Sequence, residues 1–355
     1  MRYVFSISIV CFALISSLLA FSEEVTTDKK SLLIDKAITS FMQQHEVPGV
    51  AIAIVNGDSE KILTYGLADK KSNAKVTENT LFEIASITKV FTTTALALNV
   101  LQGNMGLNDP ISKYIPGLDS HFSAINKVTL LELATHTSSL PRVGGSWREG
   151  GLQKIVSFLQ HWQPNYPIGA RYEYSNLAFG LLGYALEAVE KRPYEEIIAE
   201  DVLKPLGMNM TFTRVPESQL SQYAQGYDFK GKEAPRRIPG YLLGSGALRS
   251  TVKDMLKFLK ANMGINTPEK LLKAMQLAQQ PFYNVRKHFI MGLGWQRFDF
   301  EDTLIINKNG GLTGFASYIG WMPEKKIGII ILTNKGKARP TALGRYLLTA
   351  LSKQN

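Results

Sequence analysis

The stretch Pro48-Gly49-Val50-Ala51-Ile52-Ala53-Ile54-Val55-Asn56-Gly57 decides the fold. Six consecutive apolar residues, Val50 to Val55, read as a short strand. Asn56-Gly57 is a strong tight-turn signal, and Lys61 to Ala68 reads as the returning strand of a β-hairpin. Upstream, Leu32, Leu33, Ala37, Ile38, Phe41 and Met42 recur at helical spacing, and Pro48-Gly49 stops that helix. A lone two-stranded hairpin is marginal in water, so the sheet needs further strands from elsewhere in the chain.

They come from the other end. Strand signals return at Gly294–Phe300, Leu304–Asn307, Phe315–Trp321 and Ile327–Leu332, and Ala338–Leu351 closes the chain with a helical pattern. Between the two ends the pattern is mainly helical, over 87–101, 152–161, 176–190, 194–203, 251–262 and 268–279. Gly103-Asn104, Asn108-Asp109-Pro110 and Pro205-Leu206-Gly207 punctuate these helices. The expected class is therefore mixed α/β, or α+β. A mainly antiparallel sheet is flanked by N- and C-terminal helices, and a mostly helical region is inserted between its strands. We divide the chain into residues 23–85 and 286–355 for the sheet region and 86–285 for the helical region, within one catalytic domain.

Composition narrows the class of function. The chain has 355 residues, 45% hydrophobic and 20% charged, which excludes wholesale disorder. No internal repeat or low-complexity tract appears. The formal charge is +10, which raises nucleic acid, an anionic membrane surface or an acidic polymer as partners without selecting one. Neither G-x-G-x-x-G nor a P-loop is present, and we expect no nucleic-acid partner. Residues 1–22 read as a secretory signal: Arg2, the apolar run Val4–Leu19, then Ala20-Phe21-Ser22 before Glu23-Glu24, with cleavage after Ala20 or Ser22. The run is shorter than the ~20 residues a spanning helix needs, so no membrane span is expected after cleavage. Cys11, the one cysteine, lies inside that segment, so neither a disulfide framework nor a cysteine-rich metal site is expected.

Three short patterns carry the chemistry. Ser86-Ile87-Thr88-Lys89 falls where a helix should start; Ser and Lys at i and i+3 share a face, so the amine can reach the hydroxyl and help take its proton. Alone this is weak, since Ser72/Lys75 and Ser250/Lys253 repeat the spacing. Tyr174-Ser175-Asn176 is the chain's only Y-x-N and opens an apolar helix; alone, a packed aromatic explains it as well as a base. Lys308-Asn309-Gly310-Gly311 lies between two strand signals, where a charged hairpin turn is the plain alternative. No G-x-S-x-G elbow is present, and His45, His121, His136, His161 and His288 show no metal-ligand spacing. We read His136 and Trp162 as packing residues, and Trp147, in a Gly-rich loop, as a candidate for the rim of the site.

Order changes the weight of these patterns. S-x-x-K, then Y-x-N, then K-x-G, set among LFEIASITKVFT (81–92), LNDPISKYIPGL (107–118), LLELATHTSSLPR (130–142), WQPNYPIGARYEYSN (162–176) and GGLTGFASYIGWMPEKKIGIIILTN (310–334), resembles the serine β-lactamase and penicillin-binding protein superfamily, specifically its class C group. The resemblance implies a class C-type β-lactamase, with Ser86 as the acylated nucleophile and Lys89 assisting its deprotonation. It implies Tyr174 as general base or relay, its phenol made more acidic by Lys89 and Lys308. Lys308 would attract the substrate carboxylate and Asn176 would hydrogen-bond the side-chain amide. The backbone N–H groups of Ser86 and Gly311 would form the oxyanion hole, with Gly310 beside them. Asn309 stands where the family usually has Thr or Ser, and Gly246 where many members place a tyrosine. LPRVGG (140–145) and YSNLAFGLLG (174–183) also resemble the D-alanyl-D-alanine carboxypeptidase/endopeptidase branch. The substrate is then a β-lactam or a peptidoglycan peptide. An esterase of the same superfamily and a non-catalytic binder are the remaining alternatives. No metal or organic cofactor is implied, and the expected state is a periplasmic monomer.

Overall fold

A computed structural model describes residues 30–118, 123–142, 151–238, 240–300 and 303–353. The signal segment, Cys11 and Trp147 lie outside them. The strands are β1 (Gly49–Asn56), β2 (Ser59–Asp69), β3 (Ala74–Lys75), β4 (Phe82–Glu83), β5 (Gly226–Tyr227), β6 (Glu233–Ala234), β7 (Arg249–Ser250), β8 (Tyr283–Arg286), β9 (Phe289–Met291), β10 (Gln296–Phe300), β11 (Thr303–Gly311), β12 (Ala316–Met322) and β13 (Ile327–Thr333). The helices are α1 (30–45), α2 (Thr88–Leu101), α3 (Leu130–Thr135), α4 (Gly151–His161), α5 (Asn176–Glu190), α6 (Tyr194–Ile198), α7 (Leu243–Gly246), α8 (Val252–Asn262), α9 (Glu269–Ala278) and α10 (Pro340–Ser352). None of the described helices is long and apolar enough to cross a membrane.

Nine strands form one sheet in the order β3-β2-β1-β13-β12-β11-β10-β9-β8, each paired antiparallel with its neighbours. The N-terminal hairpin therefore completes its pairing with a strand from the far end of the chain, β13, from Val50 opposite Thr333 to Asn56 opposite Ile327. Alternation along β1 sorts its side chains by face. Val50, Ile52 and Ile54 join Ile329 and Ile331 in a core with Ile34, Ile38 and Phe41 of α1 and Leu343, Leu347 and Leu348 of α10. Ala51, Ala53 and Val55 join Ile330 and Leu332 in a larger core with α2, α5, α8 and α9. Full burial of a Val, Leu or Ile side chain is worth about 1.5–3 kcal/mol, so this two-sided strand is among the strongest determinants of the fold. Phe91 of α2 stacks on Phe258 of α8 with ring centroids 3.8 Å apart, locking the helix that follows the S-x-x-K pattern.

Three elements differ from the sequence expectation. The strand expected at Leu304–Asn307 continues to Gly311, so Lys308-Asn309-Gly310-Gly311 is paired strand and not a turn. The helix expected over 194–203 is α-helical only to Ile198; Ala199–Leu203 is π-helical and Lys204–Leu206 is 3₁₀. Pro205, which offers no N–H to the preceding turn, sits in the 3₁₀ segment where the run ends. The short strands β8 and β9 carried no clear periodic signal.

Candidate active site

Ser86 sits in a short 3₁₀ turn (Ala85–Ile87) that runs into α2. Ala85, just before it, has φ +52°, a left-handed conformation unusual for a residue with a side chain. β11 packs against this turn so closely that a Cβ on Gly310 would overlap Ile84 O and Ser317 Oγ. Ser317 Oγ also donates to Ile84 O at 2.8 Å. Glycine at 310 is thus a steric requirement, and it brings the strand carrying Lys308 beside Ser86. Gly311, one residue on, lines the same groove as Ser86, which holds about 600 Å³.

Tyr174-Ser175-Asn176 is held by the segment after α3. Ser175 Oγ donates to Pro141 O (2.8 Å) and caps α5 by accepting the Ala178 N–H (3.1 Å). The Ser175 N–H donates to His136 Nδ1 (3.1 Å), and the Asn176 N–H donates to Arg142 O (3.0 Å). His136 is fully buried, with its ring against Tyr172, Tyr174 and Phe179, as its packing assignment requires. Trp162 is likewise a buried core residue.

These elements converge on one constellation. The Tyr174 hydroxyl donates to Ser86 Oγ at 2.7 Å. Lys89 Nζ lies 3.4 Å from Ser86 Oγ, 2.8 Å from Asn176 Oδ1 and 2.6 Å from Ser245 O. Lys308 Nζ stands 5.1 Å from the centre of the Tyr174 ring, and the Arg142 guanidinium 5.3 Å from it. Ser86, Lys89, Tyr174, Asn176 and Lys308 are therefore together. Asn309 is not in this cluster: it is exposed and lines an adjoining cleft on the other side of β11. Two participants carried no sequence signal of their own. Ser245 contributes only its carbonyl, and Arg142 was visible only as part of the LPR segment.

The ionisation states overturn one expectation. Burial, followed by the charges of Lys308, Arg237 and Arg142, holds Lys89 well below the usual lysine range. Burial alone brings Lys308 down to about 7. The same burial raises Tyr174 above the usual phenol range, and the Ser86 hydrogen bond offsets this only in part. The two lysines thus do not make the phenol more acidic. A site this dry penalises every charge in it, which loosens the hold of both amines on their protons and tightens that of the phenol.

Around Gly246 the groove is cationic. A Cβ at this position would meet Ala85 and Arg237 Nη1 at ordinary contact distance, and Arg237 donates to Gly246 O at 3.2 Å. Arg237 thus occupies space beside the missing side chain. A buried network holds its segment: Glu83 accepts from the Tyr223 hydroxyl (2.6 Å) and the Arg237 N–H (3.3 Å), faces Arg249 at 3.7 Å, and Arg249 in turn donates to Arg237 O.

Comparison with known proteins adds to this geometry. The Beta-lactamase family profile matches residues 34–352. A beta-lactamase of Pseudomonas fluorescens is 31% identical over 85% of this chain and 93% of its own length. A solved class C beta-lactamase in complex with cefoxitin superposes with a TM-score of 0.86 at 26% identity, over 91% of this chain and 99% of that one. A beta-lactamase/D-alanine carboxypeptidase from Pseudomonas syringae superposes with a TM-score of 0.84 at 25% identity, over 90% and 99%.

Proposed function

The chain belongs to the beta-lactamase family, and from that premise we propose that it hydrolyses the amide bond of β-lactam rings through an acyl-enzyme on Ser86. The observation that carries this reading is the contact set of Ser86 Oγ: a phenol proton donor at 2.7 Å and an amine of depressed basicity at 3.4 Å. Ser86 Oγ attacks the carbonyl carbon as its proton passes to Lys89. The developing oxyanion is stabilised by the backbone N–H groups of Ser86 and Gly311. The C–N bond breaks, and Tyr174 relays a proton to the leaving nitrogen. Water then attacks the ester carbon, gives up a proton to the same pair, and releases Ser86. Lys308 attracts the substrate carboxylate, Asn176 meets the side-chain amide, and Gly310 keeps β11 close enough for both. Asn309 reaches the carboxylate-bearing part of the substrate from the adjoining cleft.

The test is pre-steady-state kinetics with a chromogenic cephalosporin beside a D-Ala-D-Ala peptide, with intact-mass detection of the adduct. Rapid cephalosporin turnover with little peptide release supports the proposal. A long-lived adduct with peptide cleavage supports a second reading, a D-alanyl-D-alanine peptidase, which the likeness to the Pseudomonas syringae enzyme favours. Retention of either reaction by Ser86→Ala sinks the nucleophile assignment. We also propose a single catalytic unit, monomeric and exported to the periplasm by residues 1–22.

A further inference from the structure

The hydrogen bonds of His136 fall on either side of the tyrosine that faces Ser86. His136 closes α3 in the left-handed conformation, with φ +61°. That turn aims two of its acceptors at the segment leading into α5. His136 O accepts the Glu173 N–H at 2.7 Å, and His136 Nδ1 accepts the Ser175 N–H at 3.1 Å. One residue therefore holds the backbone immediately before and immediately after Tyr174. Its ring centre also lies 4.3 Å from that of Tyr174, so it steadies the side chain as well. The Tyr174 hydroxyl donates to Ser86 Oγ at 2.7 Å, a contact with little slack.

Packing alone does not account for a histidine here. A backbone N–H can only donate, so Nδ1 is the bare nitrogen and Nε2 carries the proton. Nε2 is buried, and among the described residues it has no hydrogen-bond partner. An unpaired buried N–H is a penalty that an apolar ring would avoid. The left-handed backbone is a second penalty, since few side-chain-bearing residues adopt it. What histidine supplies against both is the acceptor for Ser175. Tyr172, Tyr174, Lys89, Lys308 and Arg142 are the titratable and charged groups around the ring. Burial, followed by the charges of Lys308, Lys89 and Arg142, holds His136 well below the usual histidine range, which keeps Nδ1 bare.

We propose that His136 is a positioning residue for the reaction at Ser86: by accepting the two N–H groups that flank Tyr174, it fixes the phenol in line with Ser86 Oγ. It touches neither Oγ nor the substrate and acts only through Tyr174. The inference rests on the hydrolase reading above. Without the Nδ1 acceptor, the Ser175 N–H must find another partner, and the backbone that carries Tyr174 shifts to reach it. A displacement of about 1 Å at a catalytic group costs on the order of a hundredfold in rate.

The test follows turnover of a chromogenic cephalosporin by two variants. His136→Phe keeps an aromatic ring but has no acceptor. His136→Asn offers Oδ1 where Nδ1 stood and tolerates the left-handed backbone. We expect kcat of His136→Phe to fall about a hundredfold with KM within about threefold, and His136→Asn to keep kcat within about tenfold of wild type. In a Tyr174→Phe background, His136→Phe should change the residual kcat by less than about threefold, because the group it positions is gone. Additive losses in the double variant, an Asn variant no better than the Phe variant, or wild-type kcat in His136→Phe overturns the positioning role while leaving the hydrolase reading intact. A second measurement needs no variant to fold. In the wild type, ¹H–¹⁵N NMR should show His136 protonated at Nε2 and bare at Nδ1 from about pH 5.5 to 8, and a proton on Nδ1 overturns the proposal. If the wild type consumes no cephalosporin and forms no adduct, the hydrolase reading itself fails, and the positioning role with it.

Discussion

Replacing Lys308 with Met should make the protein more stable while disabling it. Lys308 is 1% exposed in the middle of β11, and among the described residues no carboxylate pairs with it. Burial moves its pKa from 10.5 to about 7. That gap of about 3.5, at 1.36 kcal/mol for each unit, means that the protonated amine opposes folding by about 5 kcal/mol. Because the folded value lies below the unfolded one, the unfolded chain holds the extra proton between pH 7 and 10.5, and stability rises with pH across that window. The opposition is complete below pH 7 and gone above about pH 10.5. Met keeps most of the side-chain volume without the charge. Relaxation and water entry around the wild-type ammonium reduce the difference, so we expect Lys308→Met to gain about 2–4 kcal/mol at pH 6.5, shrinking to within about 1 kcal/mol by pH 10.5. Urea midpoints at pH 6.5, 8 and 9.5 read this directly. The same variant should lose about a hundredfold in kcat/KM toward a carboxylate-bearing cephalosporin. A variant no more stable than wild type at pH 6.5, or a gain that does not change with pH, would refute the reasoning.

Four other perturbations follow from the same geometry. Tyr174→Phe removes the 2.7 Å donor to Ser86 but leaves the ring against His136, so kcat should fall about 10²–10⁴-fold with an unchanged melting curve. Glu83→Gln leaves Arg249 buried without its counter-charge; at 3.7 Å and an effective dielectric of 20 the lost attraction is about 4 kcal/mol, to be read from denaturant midpoints. Gly310→Ala forces β11 away from Ile84 and Ser317, and should cost about 2 kcal/mol or more in stability and abolish the acylation burst, which stopped-flow absorbance would show. Asn309→Thr exchanges an amide for a hydroxyl of shorter reach at the cleft mouth, and KM for carboxylate-bearing substrates should change; an unchanged KM means the side chain does not reach them.

Much of the architecture was legible because burial on both faces leaves a pattern that short-range reading detects. β1 and β13 are apolar at almost every position, and Asn56-Gly57 marks the turn from β1 to β2. Helix α5 begins at Asn176, as expected, because Ser175 caps it in the ordinary way. Lys308–Gly311 was harder. Asn-Gly favours a turn locally, but pairing of Gly310 with Ser317 and the approach to Ile84 override that preference, and both partners are distant from the strand's own pattern. Co-assembly of Ser86, Lys89, Tyr174 and Lys308 came from their order along the chain, whereas their ionisation did not. Nearby lysines suggest an acidic phenol; only the burial of all three groups shows that desolvation dominates. The place of Arg142 beside Tyr174 was not legible, because 142 and 174 meet only in the folded chain.

Counting donors at Lys89 connects that burial to the chemistry. Asn176 Oδ1 and Ser245 O accept only, and each takes one N–H from Nζ. An ammonium would have to direct its third N–H at Ser86 Oγ. That oxygen already accepts from Tyr174, so both its lone pairs would be engaged and its own proton would point away from any base. A neutral amine uses its two N–H groups on the two carbonyl oxygens and presents its lone pair to the serine hydroxyl. Oγ then accepts one hydrogen bond and donates one, which leaves a lone pair for the substrate carbonyl. Desolvation favours the second arrangement, and the charges of Lys308, Arg237 and Arg142 push in the same direction. On the proposed mechanism the positive balance of the site does more than attract an anionic substrate. It also pushes Lys89 toward the unprotonated form, the one that can take the Ser86 proton in that mechanism.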